Sequence, residues 1–160
     1  EKIGMFDETL LANEDYEFNT RVRESGGVIW LDPAIRSVYF SRSTLKKLVI
    51  QYGRYGFWKF KMLQRYPHTL RWRQALPPVF VLSLFILIVL SLFVGLARYI
   101  LAAQLLIYFS ALGLAGLKLA IKKRKGFLFI GLPLAIITMH FSWGAGFLWS
   151  GIPRLFVKHD

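Results

Sequence analysis

The chain has 160 residues, 55% of them apolar and 16% aromatic, with 21 Lys+Arg against 9 Asp+Glu for a net charge of +12 and no cysteine. An apolar fraction of that size excludes a disordered tail, and the missing cysteine excludes a disulfide scaffold, a thiolate zinc site and a cysteine nucleophile. Three scattered histidines, His68, His140 and His159, give no support to a histidine-rich metal cluster.

Charge is distributed unevenly. Residues 1–40 carry four basic and eight acidic side chains, residues 41–74 nine basic and none acidic, and residues 75–160 eight basic and one acidic among long apolar runs. An acidic piece, a basic amphipathic piece and a membrane piece therefore follow one another. So basic a chain commonly suggests nucleic acid, but here the charge borders apolar spans, so anionic lipid headgroups are the expected partner and nucleic acid is not.

In chain order, Asn13 is placed to cap a helix whose first turn carries Glu14, Asp15 and Glu17, favourable against the helix dipole. That helix is expected to run to Ser25 and to stop at Gly26 and Gly27. Residues 28–31 read as a short strand, Asp32 and Pro33 as a turn, and residues 37–40 as a second strand. Together they suggest a fragment of an α/β or α+β domain, too short to bury a core alone. The adjacent carboxylates have two readings. They complement the dipole, or one of them faces a site, where an ionised carboxylate takes a proton from a hydroxyl as that oxygen attacks carbon. Neighbours on a helix point about 100° apart, so Glu14 and Asp15 are not expected to converge on one reacting atom.

From Ser43 to Tyr66, Leu45, Leu48, Val49, Tyr52, Tyr55, Phe57, Trp58, Phe60 and Met62 recur at helical spacing, with Lys46, Lys47, Arg54, Lys59, Lys61 and Arg65 between them. Ser43 is the expected N-cap and Pro67 the stop. A basic, aromatic helix of this kind suits the headgroup plane, so the plain reading is a membrane anchor. Gly53 and Gly56 cost about 1 kcal/mol each inside a helix, which points to a kink or to close approach of another backbone or a ligand.

Three apolar runs follow, at residues 79–97, 99–121 and 126–152. About 20 helical residues cross a hydrocarbon core of ~30 Å, so each is long enough to span. The expected spans are about 77–97, 99–121 and 127–152. Arg65, Arg71 and Arg73 before the first run, and Lys122, Lys123, Arg124 and Lys125 before the third, outweigh the lone Arg98 between the first two. The positive-inside rule then places residues 1–74 and the 122–125 loop in the cytoplasm. His140 and Gln104 are expected as polar contacts between helices, Gly144 and Gly146 as packing positions, and Pro133 as a kink. The chain starts at Glu1 in already patterned sequence and reads as the tail of a longer protein.

One ordered set of residues carries a family resemblance. Gly4, Met5, Phe6, Asp7 and Glu8, then Glu14, Asp15, Tyr16 and Glu17, Arg21, Gly26, Gly27 and Ile29, then Asp32 and Pro33, resemble the end of a family 2 glycosyltransferase catalytic domain. Gln51, Tyr52, Gly53, Arg54, Tyr55 and Gly56, leading into apolar spans, resemble its membrane-bound, polysaccharide-making branch, of succinoglycan and cellulose-synthase-like type. The resemblance implies an α/β fragment of a GT-A-like nucleotide-sugar domain over residues 1–42, an interfacial helix over 43–74 and an α-helical domain of three transmembrane helices over 75–160.

It further implies that Asp15, of the Glu14-Asp15 pair, is the base that deprotonates the acceptor hydroxyl in one inverting step. The family's Gln-x-x-Arg-Trp motif falls on Gln51, Arg54 and Tyr55, a tyrosine standing where the family has tryptophan. There the arginine would help hold the donor diphosphate and the aromatic would support the acceptor. The implied partners are a nucleotide-sugar and a glycan or lipid-linked acceptor, in exopolysaccharide or cell-envelope glycan synthesis at the bacterial plasma membrane. A divalent cation, Mg or Mn, is expected in the full-length enzyme, with ligands outside this chain. The fragment alone is expected to be inactive. The alternative is a non-enzymatic polybasic membrane anchor or scaffold.

Overall fold

The structure, a computed structural model, describes residues 3–156. Its regular elements there are five helices, α1 (Glu14–Glu24), α2 (Leu45–Leu63), α3 (Trp72–Ser91), α4 (Gly95–Lys123) and α5 (Leu128–Phe156), with a 3-10 turn at Pro67–Thr69 before α3.

No strand occurs among the described residues, which corrects the expected α/β fragment. Residues 28–31 and 37–40 are irregular and exposed, Trp30 82% and Phe40 84% so. The β-branched and aromatic residues there do favour a strand, but a strand is held by a ladder to a neighbour, and neither segment has one here.

Two of the expected caps also move. Asn13 is left-handed (φ 66°) and its side chain does not cap α1; its Nδ2 donates instead to the Tyr55 carbonyl at 3.3 Å. Thr44 rather than Ser43 caps α2, its hydroxyl accepting the Lys47 N–H at 3.2 Å. The glycine stop after α1 forms as expected. Gly26 is left-handed (φ 81°), its N–H bonds the Arg23 carbonyl, and the Gly27 N–H bonds that of Val22, which satisfies the carbonyls a helix end leaves open.

α3, α4 and α5 are each long and apolar enough to cross a membrane. They run up, down and up. Gln104 Nε2 donates to Ser83 Oγ at 3.0 Å, and Phe80 stacks on Tyr108 with ring centroids 4.4 Å apart, which sets α3 and α4 antiparallel. The Tyr108 hydroxyl lies 3.1 Å from His140 Nδ1, and Gly116 faces Phe129 and Pro133, which sets α4 and α5 antiparallel. The residues α4 buries include Ala97, Gly116 and Ala120, small side chains that let helices approach where lipid gives no hydrophobic drive to associate. Large apolar side chains such as Leu106 and Ile107 face outward.

α3 begins at Trp72, ahead of the expected span, and passes through Pro77 and Pro78. Pro78 has no N–H for the Gln74 carbonyl one turn back. Trp143 of α5 supplies the donor, its indole Nε1 lying 3.2 Å from that oxygen. A neighbouring span thus restores the bond that proline removes.

α2 packs closely on α5. A methyl built on Gly56 would overlap the Trp143 carbonyl, and one on Gly146 would overlap that of Gly53. Of the possibilities open for Gly53 and Gly56, close approach of another backbone is the one realised. Phe60 extends the contact, edge-on to Phe147 with centroids 5.1 Å apart.

Candidate functional site

The site is built where α1 docks on α2. Tyr16 is the hinge of this contact. Its ring lies 4.0 Å from Lys59 Nζ, and its hydroxyl donates to the Thr69 carbonyl at 3.4 Å. Lys59 is only 1% exposed, with its ammonium also within 3.4 Å of the Thr69 carbonyl and hydroxyl oxygens. Burial, helped by the nearby Arg71 charge, brings its pKa down to about 8.

Next to Tyr16 on α1, Glu17 is 2% exposed and fully engaged. It receives Arg21 Nε at 2.7 Å and Nη2 at 3.0 Å, and the Tyr66 hydroxyl at 3.1 Å. Burial and the Glu17 carboxylate push the Tyr66 hydroxyl up from its ordinary pKa. Arg21 also donates to the carbonyls of Ile3 and Met5, which fastens the leading segment to α1. Asp7 joins in by pairing with Arg65, while the Thr9 hydroxyl and N–H hold its carboxyl below the usual pKa.

This docking leaves Glu14 and Asp15 exposed at the start of α1, facing α2 across an open cleft of about 570 Å³. Glu14, Asp15, Gln51, Arg54 and Tyr55 all line it. Asp15 Oδ1 accepts the Tyr16 N–H at 2.7 Å. Arg54 Nη2 donates to the Leu11 carbonyl at 3.1 Å, so the guanidinium bridges the two walls. Gln51 Nε2 donates to the Tyr55 hydroxyl at 2.8 Å and to the Tyr39 hydroxyl at 3.2 Å, while its Oε1 accepts Arg42 Nε at 3.1 Å.

Arg42 and Lys47 line the same cleft and were not singled out from sequence. Lys47, Gln51, Arg54 and Tyr55 follow one another at four, three and one residues, a spacing that puts the first three on one helical face, so Lys47 was legible there. Arg42 lies in a loop, where no periodicity marks it. The outcome is two carboxylates facing three cations across a solvent-open cleft. Such a cleft can take an anionic group on one wall while presenting a proton acceptor from the other.

A metal site is not assembled by these residues. Among the described residues no group of three or more His, Asp or Glu side chains could hold an ion.

Fold and cleft together define a multi-pass membrane protein whose charged cleft is built between an N-terminal helix and a helix packed on the third span. Comparison with known proteins adds the chemistry of its relatives. The chain is 28% identical over 143 residues to a dolichyl N-acetyl-alpha-D-glucosaminyl phosphate 3-beta-D-2,3-diacetamido-2,3-dideoxy-beta-D-glucuronosyltransferase of Methanococcus voltae, an alignment covering 89% of this chain and 40% of that protein. It is also 28% identical over 145 residues to the succinoglycan biosynthesis protein ExoA of Rhizobium meliloti (strain 1021), covering 91% of this chain and 42% of that one. Both agree with the glycosyltransferase resemblance read from the residues. The chain spans about two fifths of the length of these curated relatives. No family model and no solved structure matches it.

Proposed function

We propose that the chain is the C-terminal part of a membrane-bound family 2 glycosyltransferase that moves a sugar from a nucleotide-sugar to a glycan or lipid-linked acceptor. The observation that carries this is the cleft. It joins the Glu14-Asp15 pair to the Gln51, Arg54 and Tyr55 motif, which are far apart in the chain.

In this reaction the acceptor hydroxyl oxygen forms a bond to the anomeric carbon of the donor. Asp15 takes the hydroxyl proton, and the bond from that carbon to the nucleotide diphosphate breaks with its electron pair leaving on the diphosphate. Attack opposite the leaving group inverts the anomeric centre. Arg54 contacts the departing diphosphate, with Arg42 and Lys47 adding positive charge on the same wall. Gln51 orients Tyr55, whose ring supports the acceptor sugar. A divalent cation, Mg or Mn, would be held by residues of the whole enzyme outside this chain and would neutralise charge on the leaving diphosphate.

The exposed apolar side chains of residues 28–40 are then covered by the remainder of the catalytic domain. Residues 1–74 and the 122–125 loop lie on the cytoplasmic face of the bacterial plasma membrane, against anionic headgroups, and the product is an envelope or exported glycan. Single additions to a lipid-linked glycan are favoured, because Tyr55 stands where the family's motif has tryptophan.

The test is Asp15→Asn in the full-length protein. A positioned base contributes about 10²–10⁴-fold, so turnover should fall by that factor with expression unchanged. Near-normal turnover rejects Asp15 as the base. Labelled sugar appearing in lipid extracts rather than insoluble polymer would support single additions; the reverse distribution would reject them.

A further inference from the structure

We propose that the groove between α2 and α5 holds the hydrocarbon chain of a lipid-linked acceptor, with Arg54 standing where the chain gives way to the polar headgroup. This rests on the glycosyltransferase reading of the cleft.

The groove has a volume of about 480 Å³ and is walled by Val49, Phe57, Trp58, Ala145 and Trp149, with Arg54 its single charged residue. Arg54 also lines the catalytic cleft, so one side chain forms part of both walls, with its guanidinium held on the cleft side by the Leu11 carbonyl. Ile50 opens to the cleft while Val49 and Gly53 open to the groove, so this stretch of α2 divides a charged chamber from an apolar one. An amphiphile with a charged head and a long apolar tail fits that division: its tail is desolvated against the groove and its headgroup meets a cation at the boundary.

Access points the same way. The far wall belongs to α5, a helix long and apolar enough to span the bilayer, and Trp149 is 67% exposed on it, so the groove opens sideways toward lipid. The close Gly53 and Gly146 contact forms its floor, and Phe57 and Trp58, edge-on with centroids 5.5 Å apart, form an aromatic rim. A second apolar groove, walled by Phe60, Phe85 and Phe147, carries no charged side chain and shares no residue with the cleft. Apolar surface alone would make the two grooves equivalent; the shared arginine selects the first.

The experiment uses the full-length protein in lipid nanodiscs. Ala145 is exposed on the groove wall, so Ala145→Trp fills the groove from within, and Val49→Trp does so from α2 should the first variant fold poorly. The ratio of KM for a long-chain polyprenyl-phosphate-linked acceptor to KM for a short-chain analogue should rise about tenfold, the effect of losing burial of two or so methylenes. An unchanged ratio overturns the proposal. A second readout needs no turnover: a polyprenyl phosphate bearing a diazirine on its chain should label Phe57 or Trp149. Competition by the long-chain acceptor but not by excess phospholipid supports the assignment. Labelling elsewhere, or equal competition by phospholipid, overturns it and leaves the groove to bulk lipid. Specific labelling without sugar transfer by the wild type would instead count against the glycosyltransferase reading alone.

Discussion

The Lys59 ammonium lies 4.0 Å from the centroid of the Tyr16 ring, and Tyr16 directly follows Asp15 in the chain. A buried cation facing an aromatic ring thus sets where the first turn of α1 rests on α2.

The burial of Lys59 beside Arg71 has a measurable pH signature. Lys59 is brought down from 10.5 to about 8 in the folded protein, so between those values the unfolded chain binds more protons than the folded one. Stability therefore rises with pH across that window, by an amount on the order of 3 kcal/mol. Lys59→Met should flatten this part of the profile, because the substituted side chain does not titrate. Thermal unfolding in detergent across the window, wild type against variant, checks it; parallel profiles would show that Lys59 contributes nothing.

Carboxylates of α1 should separate cleanly by role. Glu17 is buried with Arg21 and Tyr66 on it, so Glu17→Ala removes its charge-assisted hydrogen bonds and should destabilise the protein by about 2 kcal/mol, while Arg21 keeps the Ile3 and Met5 carbonyls. Glu14→Gln and Asp15→Asn alter exposed groups and should stay within about 0.5 kcal/mol of wild type. Chemical denaturation of the four proteins gives the comparison.

Gly56→Ala places a methyl against the Trp143 carbonyl, which belongs to a helical backbone and yields little. Overpacking of this kind costs about 1–3 kcal/mol, and the variant should unfold correspondingly earlier. Gly113→Ala is the control, since a methyl there meets nothing within 4 Å. Equal behaviour of the two would mean that α2 and α5 are not so closely joined.

Between the spans, Gln104 and Ser83 should couple weakly despite their apolar surroundings. Interhelical hydrogen bonds in membranes average about 0.6 kcal/mol, so a double-mutant cycle through Gln104→Leu and Ser83→Ala should return a coupling of that order. A coupling several times larger would mark this pair as a principal determinant of the bundle.

What the sequence made legible follows from the range of the signals. Spans announce themselves because twenty apolar residues have no other economical place; α4 covers the run at 99–121 and α5 the run at 126–152 from Leu128 on, whereas α3 covers Trp72–Ser91 and residues 95–97 of the first run begin α4. The early start of α3 was hidden by Pro77 and Pro78, which look like breakers until Trp143 supplies the missing donor from far along the chain. The five site residues were named from an ordered motif, yet their meeting in one cleft depends on α1 docking, which no local pattern encodes. Docking also buries Lys59 and Glu17, which on their own helices look no different from their exposed charged neighbours. The two strands failed for the opposite reason. Local preference was present at residues 28–31 and 37–40, and a pairing edge was not.

Gly53, Gly56 and Gly146 reach beyond helix packing in their effect. Because α2 is seated backbone to backbone on a span, and α1 is tied to α2 through Asn13 and Arg54, the altitude of Asp15 relative to the bilayer is set by covalent and packed structure rather than by a tether's swing. Anything resting in the cleft is gauged against the hydrocarbon boundary like a tool against a fixed fence.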